Sequence, residues 1–453
     1  KFAANNSIYI MRRLLFIFSF LSLLVVDGKA QEVETLTLED CLRIGIDNNL
    51  SLEGKRKEIQ KSKYGVSENR SKLLPQITVI AGYNNNFDPP VSVTDGSSYG
   101  VPYNITKTLQ HTANAGLEMQ MPLFNQTLYT SMSIAKVMEE ISRLSYGKAR
   151  EDIIMQISKM YYLGQVTAEQ IVLIKANITR LEELRDITQA FFDNGMSMEV
   201  DLKRVNINLE NLKVQYDNAQ AMMKQQLNML KYIMDYPAEK EFVLTPVNTD
   251  SITTVALTGL SENIYELQLS QSQVQLAEKQ KKIISNGYIP SLSLTGSWRY
   301  AAYTDKGYHW FHSGPSNHWF RSYGLGLTLR IPIFDGLDKT YKIKKAMIDI
   351  ENSKLAWENA RKSLQTQYLN AVNDLMNNQR NFKKQKDNYL LAEDVYTVTS
   401  DRYREGIASM TEVLQDEMQM SEAQNNYISA HYNYRITNLM LLKLTGQIES
   451  LVK

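Results

Sequence analysis

The stretch Arg321-Ser-Tyr-Gly-Leu-Gly-Leu-Thr-Leu-Arg-Ile-Pro-Ile-Phe-Asp-Gly336 decides how this chain folds, because its hydrophobic period changes partway along. Tyr323, Leu325, Leu327, Leu329 and Ile331 fall on one side of a two-residue alternation; Gly324, Gly326, Thr328 and Arg330 fall on the other. This predicts a strand with one apolar and one polar face. Pro332 suits its end, since proline cannot donate to a sheet ladder. Past Gly336 the apolar period becomes three to four and stays helical for about seventy residues.

An earlier stretch is a version of the same thing: Ala113-Asn-Ala-Gly-Leu-Glu-Met-Gln-Met-Pro-Leu-Phe-Asn125. Ala115, Leu117, Met119 and Met121 alternate with Asn114, Gly116, Glu118 and Gln120, and Pro122 is the corresponding strand-to-helix exit. The spacing downstream also repeats. Gly195 stands 73 residues after Pro122, and Gly406 stands 74 after Pro332. Each glycine follows one helical run and precedes another, as a C-cap and turn does.

Upstream, Thr35-Leu-Thr-Leu-Glu-Asp opens a helix expected to reach about Leu74, with Thr37 as its cap and Asp40 three residues on. A polar stretch from Asp88 to about His111 reads as a loop leading back to the strand at 113–121. Each half is therefore helix, strand, strand, long helix, turn, helix. The expected division is 1–30 as upstream residues and leader, 31–235 as the first repeat, 236–260 as a joining segment, 261–446 as the second repeat and 447–453 as a tail. The strands fall at about 76–87, 113–121, 291–303 and 321–331.

The long helices carry a narrow seam. Ile134, Val137, Ile141 and Leu144 are spaced 3–4–3, as are Ile171, Ile174, Ile178 and Leu181; Leu364, Leu369, Val372, Leu375 and Met376 follow more loosely. The remaining faces are polar, which is coiled-coil-like patterning.

The start of the chain reads as a secretory leader. Met11-Arg12-Arg13 precedes an apolar run from Leu14 to Val26 and then Gly28-Lys29-Ala30, a small-residue cleavage site. Thirteen apolar residues are too few to span a bilayer as a helix. Cys41 is the single cysteine, so no intramolecular disulfide and no thiol metal cluster can form. It lies in a helical pattern with Leu38, Leu42 and Ile44 and reads as a small core residue.

Basic and acidic residues nearly balance, at 50 and 49, which argues against a nucleic-acid binder. No apolar run outside the leader is long enough for a membrane helix. A β-barrel is not excluded, because alternating strands hide from hydropathy. Four such strands cannot close a barrel, so several copies must contribute. Aromatic residues cluster near the strand ends: Tyr83, Phe87, Trp298, Tyr300, Tyr303, Tyr308, Trp310, Phe311, Trp319, Phe320 and Tyr323. A membrane-interface girdle explains them, with an aromatic-rich soluble sheet as the alternative.

Enzyme chemistry finds little support. His309 and His312 lack carboxylate or cysteine companions at ligand spacing, so no metal site is expected. Gly324-Leu-Gly326 lies inside a strand and lacks the third glycine and helix of a phosphate-binding loop. No cofactor is expected.

The repeat, the two proline exits, the Gly195 and Gly406 turns and the ending Ala430-His-Tyr-Asn-Tyr-Arg-Ile-Thr-Asn-Leu-Met-Leu-Leu-Lys-Leu-Thr-Gly446 together resemble the TolC family of outer-membrane efflux proteins. The resemblance covers residues 35–446. It implies an α+β membrane protein: a homotrimer with a twelve-stranded β-barrel in the Gram-negative outer membrane, four strands per chain, and a coiled-coil tunnel of helices reaching into the periplasm. It implies an exit duct for drugs or proteins, docked to a periplasmic membrane-fusion adaptor and an inner-membrane pump of the RND type. Type I protein secretion is one alternative. A soluble periplasmic coiled-coil adaptor or scaffold, suggested by the polar helices alone, is another.

The resemblance also places a periplasmic mouth beside the two turns. Glu412, six residues after Gly406, matches an acidic position of the constriction. Gln415 stands at the second such position, with Asp416 beside it. Tyr403 and Asp201 match members of a lock that holds the mouth shut. The lock's arginine is missing, Ala408 standing in its place; Arg402 and Arg404 are the candidate substitutes. Gly195, Met196, Ser197, Gly406, Ile407 and Ser409 form the turns expected to meet an adaptor. Without the family, these charges read as solvated residues at a helix start, where acids are favoured anyway.

Overall fold

The computed structural model describes residues 34–246, 259–304 and 319–452. The leader reading, Tyr308, Trp310 and Phe311 of the girdle, and His309, His312 and His318 lie outside the described residues.

The described residues begin with β1 (Glu34–Leu36), α1 (Leu38–Asn48) and α2 (Leu50–Ser71). Thr37 caps α1 in a reciprocal box. Its Oγ1 accepts from the Asp40 N–H at 3.1 Å, and the Asp40 carboxylate accepts from the Thr37 N–H at 3.2 Å. The expected single helix is instead broken at Asn49, whose backbone leaves the helical region at ψ 119°. Its side chain stabilises the break. The carboxamide oxygen accepts from the N–H of Ser51 and Leu52, and the NH₂ donates to the Ile233 carbonyl at 2.8 Å.

A four-stranded antiparallel sheet follows in the order β2 (Gln76–Asn85), β5 (His111–Phe124), β7 (Ser291–Thr304), β8 (Trp319–Arg330). The stretch read as a loop contains a hairpin of its own, β3 (Val91–Asp95) paired with β4 (Tyr103–Lys107). Five residues a side are too few for alternation to stand out. Strand β8 stops two residues before Pro332, as expected, but β5 continues through Pro122 to Phe124 across a register shift. Strand β2 begins opposite Gln120, so beyond that point β5 has become an edge, where a missing N–H is tolerated.

The two long helices are α3 (Gln126–Asp193, 68 residues) and α6 (Asp338–Arg404, 67 residues). At 1.5 Å per residue each is a rod of roughly 100 Å. Toward the strands α3 packs against α2 and α5 (Tyr265–Asn286); toward the turns it packs against α4 (Glu199–Met234). Helix α6 packs against α5 and then α7 (Met410–Leu444). Leu144, Ile174, Leu181, Leu364 and Leu375 of the expected seams are buried, whereas Leu369 and Met376 are exposed in the single chain. No helix among the described residues is long and apolar enough to cross a membrane.

The largest core lies midway along, where β1 pairs in parallel with β6 (Phe242–Leu244). Leu36, Leu42, Leu52, Ile154, Ile157, Leu230, Met234 and Phe242 fill it. Cys41 is fully buried there, and burial pushes its thiol up to about 12. A short 3₁₀ helix at Ile448–Val452 closes this core.

Beside it, Glu151 is 4 % exposed, and burial raises its carboxyl to about 7 despite the nearby Lys443. The folded state thus holds this proton more tightly than the unfolded chain. Ionising Glu151 costs stability above about pH 7, and the cost fades as pH falls toward the ordinary carboxylate value. Glu151→Gln is expected to raise the thermal unfolding midpoint at pH 8 and leave it unchanged near pH 4.5. Equal midpoints at pH 8 would show that the carboxylate is solvated.

Candidate functional site: the turn end of the rods and the faces of the sheet

Both long helices end in the same way. Gly195 and Gly406 adopt φ +75° and +74°, a left-handed conformation that costs glycine nothing. The Met196 N–H reaches back to the Phe191 carbonyl and the Gly195 N–H to Phe192; Ile407 to Arg402 and Gly406 to Tyr403 repeat both bonds. These are Schellman caps. The next helices start differently. Ser409 and Glu412 make a capping box, with the Glu412 carboxylate accepting from the Ser409 N–H at 2.9 Å. Met198, at the matching place, offers no side-chain cap.

The two turns lie side by side around one cleft, lined among others by Gly195, Met196, Asp201, Tyr403, Gly406 and Ser409. Met196 and Ile407 project as exposed apolar tips, while Ser197 is half-buried. Glu412 and Gln415 are exposed on α7, and Asp416 is half-buried.

Within one chain the expected lock residues do not bond to one another. Tyr403 is buried, its ring on Phe191 and its hydroxyl donating to Thr188 Oγ1 at 3.3 Å. Arg404 pairs with Glu183 at 3.5 Å and Asp401 at 3.3 Å. The cation beside Asp201 is Arg204, at 3.2 Å, which also reaches Thr411 Oγ1 at 3.5 Å. Sequence reasoning missed Arg204 because it sought an arginine only around Gly406. The Asp201-x-x-Arg204 spacing, one turn on one helix face, was the available signal.

A further layer was also missed. Beside shared apolar clusters, the α3/α4 pair also meets the α6/α7 pair through polar side chains. Arg180 bonds Glu393 at 3.2 Å, Asn177 bonds Gln424 at 2.7 Å, and Lys443 bonds Asp152 at 2.6 Å. The Tyr427 hydroxyl donates to Glu169 at 3.0 Å, whose other oxygen lies 3.4 Å from His431 Nδ1. Arg435 Nε donates to His431 Nε2 at 2.9 Å. Glu417 is buried close by, and burial raises its carboxyl above the usual range.

At the other end, the sheet has two distinct faces. Register places Val79, Leu117, Trp298 and Tyr323 in one row, and Ile77, Met119 and Leu325 in the next. With Leu327 and Leu329 they form an apolar surface that is exposed except at the half-buried Met119. Gln76, Thr78, Glu118, Gln120, Thr295, Ser297, Arg299, Gly324 and Gly326 line the opposite, concave face. Glu118 and Arg299 form an ion pair there. Of the aromatic cluster, Trp298, Tyr300, Trp319 and Tyr323 lie on the apolar face. Tyr303 and Phe320 fall on the other by strand parity. Strands β2 and β8 are both open edges.

Two rods of duplicated design, carrying a sheet with an apolar outer face, a polar inner face and two open edges, define one protomer of a composite β-barrel duct. Residues 44–234 and 250–447 match the family model described as "Outer membrane efflux protein". The chain belongs to this family and is an outer-membrane protein. It is 21% identical over 396 residues to the outer membrane protein TolC of Vibrio cholerae, covering 84% of each. It is 23% identical over 382 residues to the probable efflux pump outer membrane protein TtgC of Pseudomonas putida, covering 79% of this chain and 75% of that one. The solved channel CusC superposes with a TM-score of 0.75 at 15% identity, covering 92% of this chain and 94% of its own. The outer membrane protein VceC from Vibrio cholerae gives 0.72 at 14%, covering 90% and 96%. The soluble adaptor reading is thereby set aside.

If the apolar face meets lipid, Leu327→Arg is expected to cost roughly 2–4 kcal/mol near the bilayer midplane and to lower the yield of assembled oligomer on a native gel. Thr328→Arg, on the inner face, should assemble nearly as the parent does. Equal defects would mean that the faces are reversed.

Proposed function

We propose that the chain is the exit duct of a tripartite efflux system. Three copies complete a twelve-stranded barrel, and their rods continue it as a tunnel that passively conducts drugs or other small molecules outward. A periplasmic membrane-fusion adaptor and an inner-membrane pump, RND in type, deliver the cargo. The observation that carries this reading is the open-edged sheet on duplicated rods, matched by the family model over both repeats. Efflux is preferred to protein secretion because relatives such as TtgC are named for efflux pumps. Loss of the chain from its host should raise sensitivity to small toxic compounds; unchanged sensitivity with loss of an exported protein would favour secretion instead.

The turn end is the mouth. Gly195, Met196, Ser197, Gly406, Ile407 and Ser409 present the docking surface, and the exposed apolar tips of Met196 and Ile407 suit a protein partner. Glu412, with Gln415 and Asp416 behind it, lines the entrance. Three like charges brought close together attract cations. Tyr403, Asp201 and the arginines Arg404 and Arg204 hold the turns together. In planar bilayers, Glu412→Ala should lower cation selectivity and block by multivalent cations while the trimer persists. Tyr403→Phe combined with Asp201→Ala should raise single-channel conductance. Unaltered block would remove Glu412 from the entrance, and unaltered conductance would remove the lock.

A further inference from the structure

The inner face of the four-stranded sheet carries three charged side chains per chain: Glu118, Arg299 and Arg330. Glu118 and Arg299 neutralise each other. Arg330 is left over. It is exposed at the last position of β8, paired in register with Ser291, and has no hydrogen-bond or ion-pair partner among the described residues. The nearest acid in sequence, Asp335, is held by Lys339 at 3.0 Å. The side chains around Arg330 on this face are small and neutral: Ser291, Ser293 and Thr328, with Gly326 beyond. Nothing bulky covers the guanidinium.

The open edge of β8 can be completed only by β2 of another copy, antiparallel, so the end of β8 meets the start of β2. That strand begins Gln76-Ile77-Thr78, with neutral residues on the inner face. The inner-face residues that open β2 therefore offer Arg330 no carboxylate. The equivalent position of the first repeat, two residues before its proline, is Gln120. Only the second repeat contributes a charge here.

We propose that Arg330 from each copy forms a ring of three uncompensated guanidinium groups where the barrel lumen meets the helical tunnel. The ring favours passage of solutes that carry carboxylate or phosphate groups. This rests on the exit-duct reading. Arginine does not deprotonate in proteins, so the ring stays positive at any working pH, and its planar donors match carboxylate and phosphate oxygens. Rings of arginine or lysine select anions in pores in the same way.

The test uses the full-length protein in planar bilayers under a potassium chloride gradient. Arg330→Gln should raise the ratio of cation to anion permeability, by roughly twofold or more if the ring governs the lumen field. Arg330→Glu should raise it further, and Arg330→Lys should leave it near the parent value. An independent measurement avoids any masking by the mouth in series. In Arg330→Cys, an anionic membrane-impermeant methanethiosulfonate should change the single-channel current within seconds. In Leu329→Cys, on the lipid face, it should not. The native Cys41 is fully buried and stays silent. A conducting channel whose permeability ratio ignores both Arg330→Gln and Arg330→Glu, with no reagent effect at the Arg330→Cys position, overturns the ring but leaves the duct. A parent protein that gives no conductance overturns the duct itself, and the ring with it.

Discussion

Everything in this molecule answers to the unpaired backbone along the outer edges of β2 and β8. A sheet edge can be left open in water, but not in hydrocarbon, where each unsatisfied N–H or C=O costs several kcal/mol. The apolar face made by Ile77, Leu117, Leu325 and Leu327 has nowhere else to go than hydrocarbon. The two demands agree only if other copies supply the missing strands. The helices then take their positions from the sheet. Strand β5 feeds α3 and β8 feeds α6, so each closing strand pair sets two rods at a fixed spacing around the same axis.

Apolar packing and polar bonding divide the rods between them. Leu181, Leu184, Val205 and Leu209 hold α3 to α4 near the turns, and Val413, Leu414 and Met420 of α7 belong to the same cluster. Across the same line between the two pairs, amides, carboxylates and guanidinium groups bond beside this apolar cluster, from Asn177 and Gln424 to Arg180 and Glu393. Asn177 and Gln424 are buried, so each depends on the other: removing one would leave the partner's amide short of a hydrogen bond. The largest apolar anchor is the midway core around Leu36, Ile154 and Met234, where β1, β6 and the 3₁₀ helix at Ile448–Val452 converge.

The sequence exposes this architecture wherever a physical pattern runs long enough to be counted. Alternation over β8, its exit at Pro332 and the near-equal distances to Gly195 and Gly406 were each legible without coordinates, whereas β5 runs on through Pro122. Short or non-local features were not. The pairing of β1 with β6 involves three residues a side, some two hundred positions apart, and its local sequence carries no period. The break at Asn49 depends on a carbonyl of Ile233, which no local pattern reports. The partners of Tyr403 and Arg404, Thr188 and Glu183, sit more than two hundred residues upstream. The candidate mouth residues were legible as positions beside the turns; their bonds were not, because those depend on which faces the rods turn toward each other.

The two-residue alternation of the strands has a consequence for how such a protein is made. An outer-membrane protein must first pass through an inner membrane, whose insertion machinery retains segments that are long and apolar enough. Turning every second residue toward the lumen lowers the apolar content of each strand, and Gly324, Gly326 and Thr328 dilute β8 between its leucines. No strand of the sheet exceeds 14 residues, and no described helix offers a long apolar window. The lipid-facing surface thus exists only after folding, assembled from residues that are never contiguous in the chain. During transit the described residues offer the inner membrane no long apolar helix to hold.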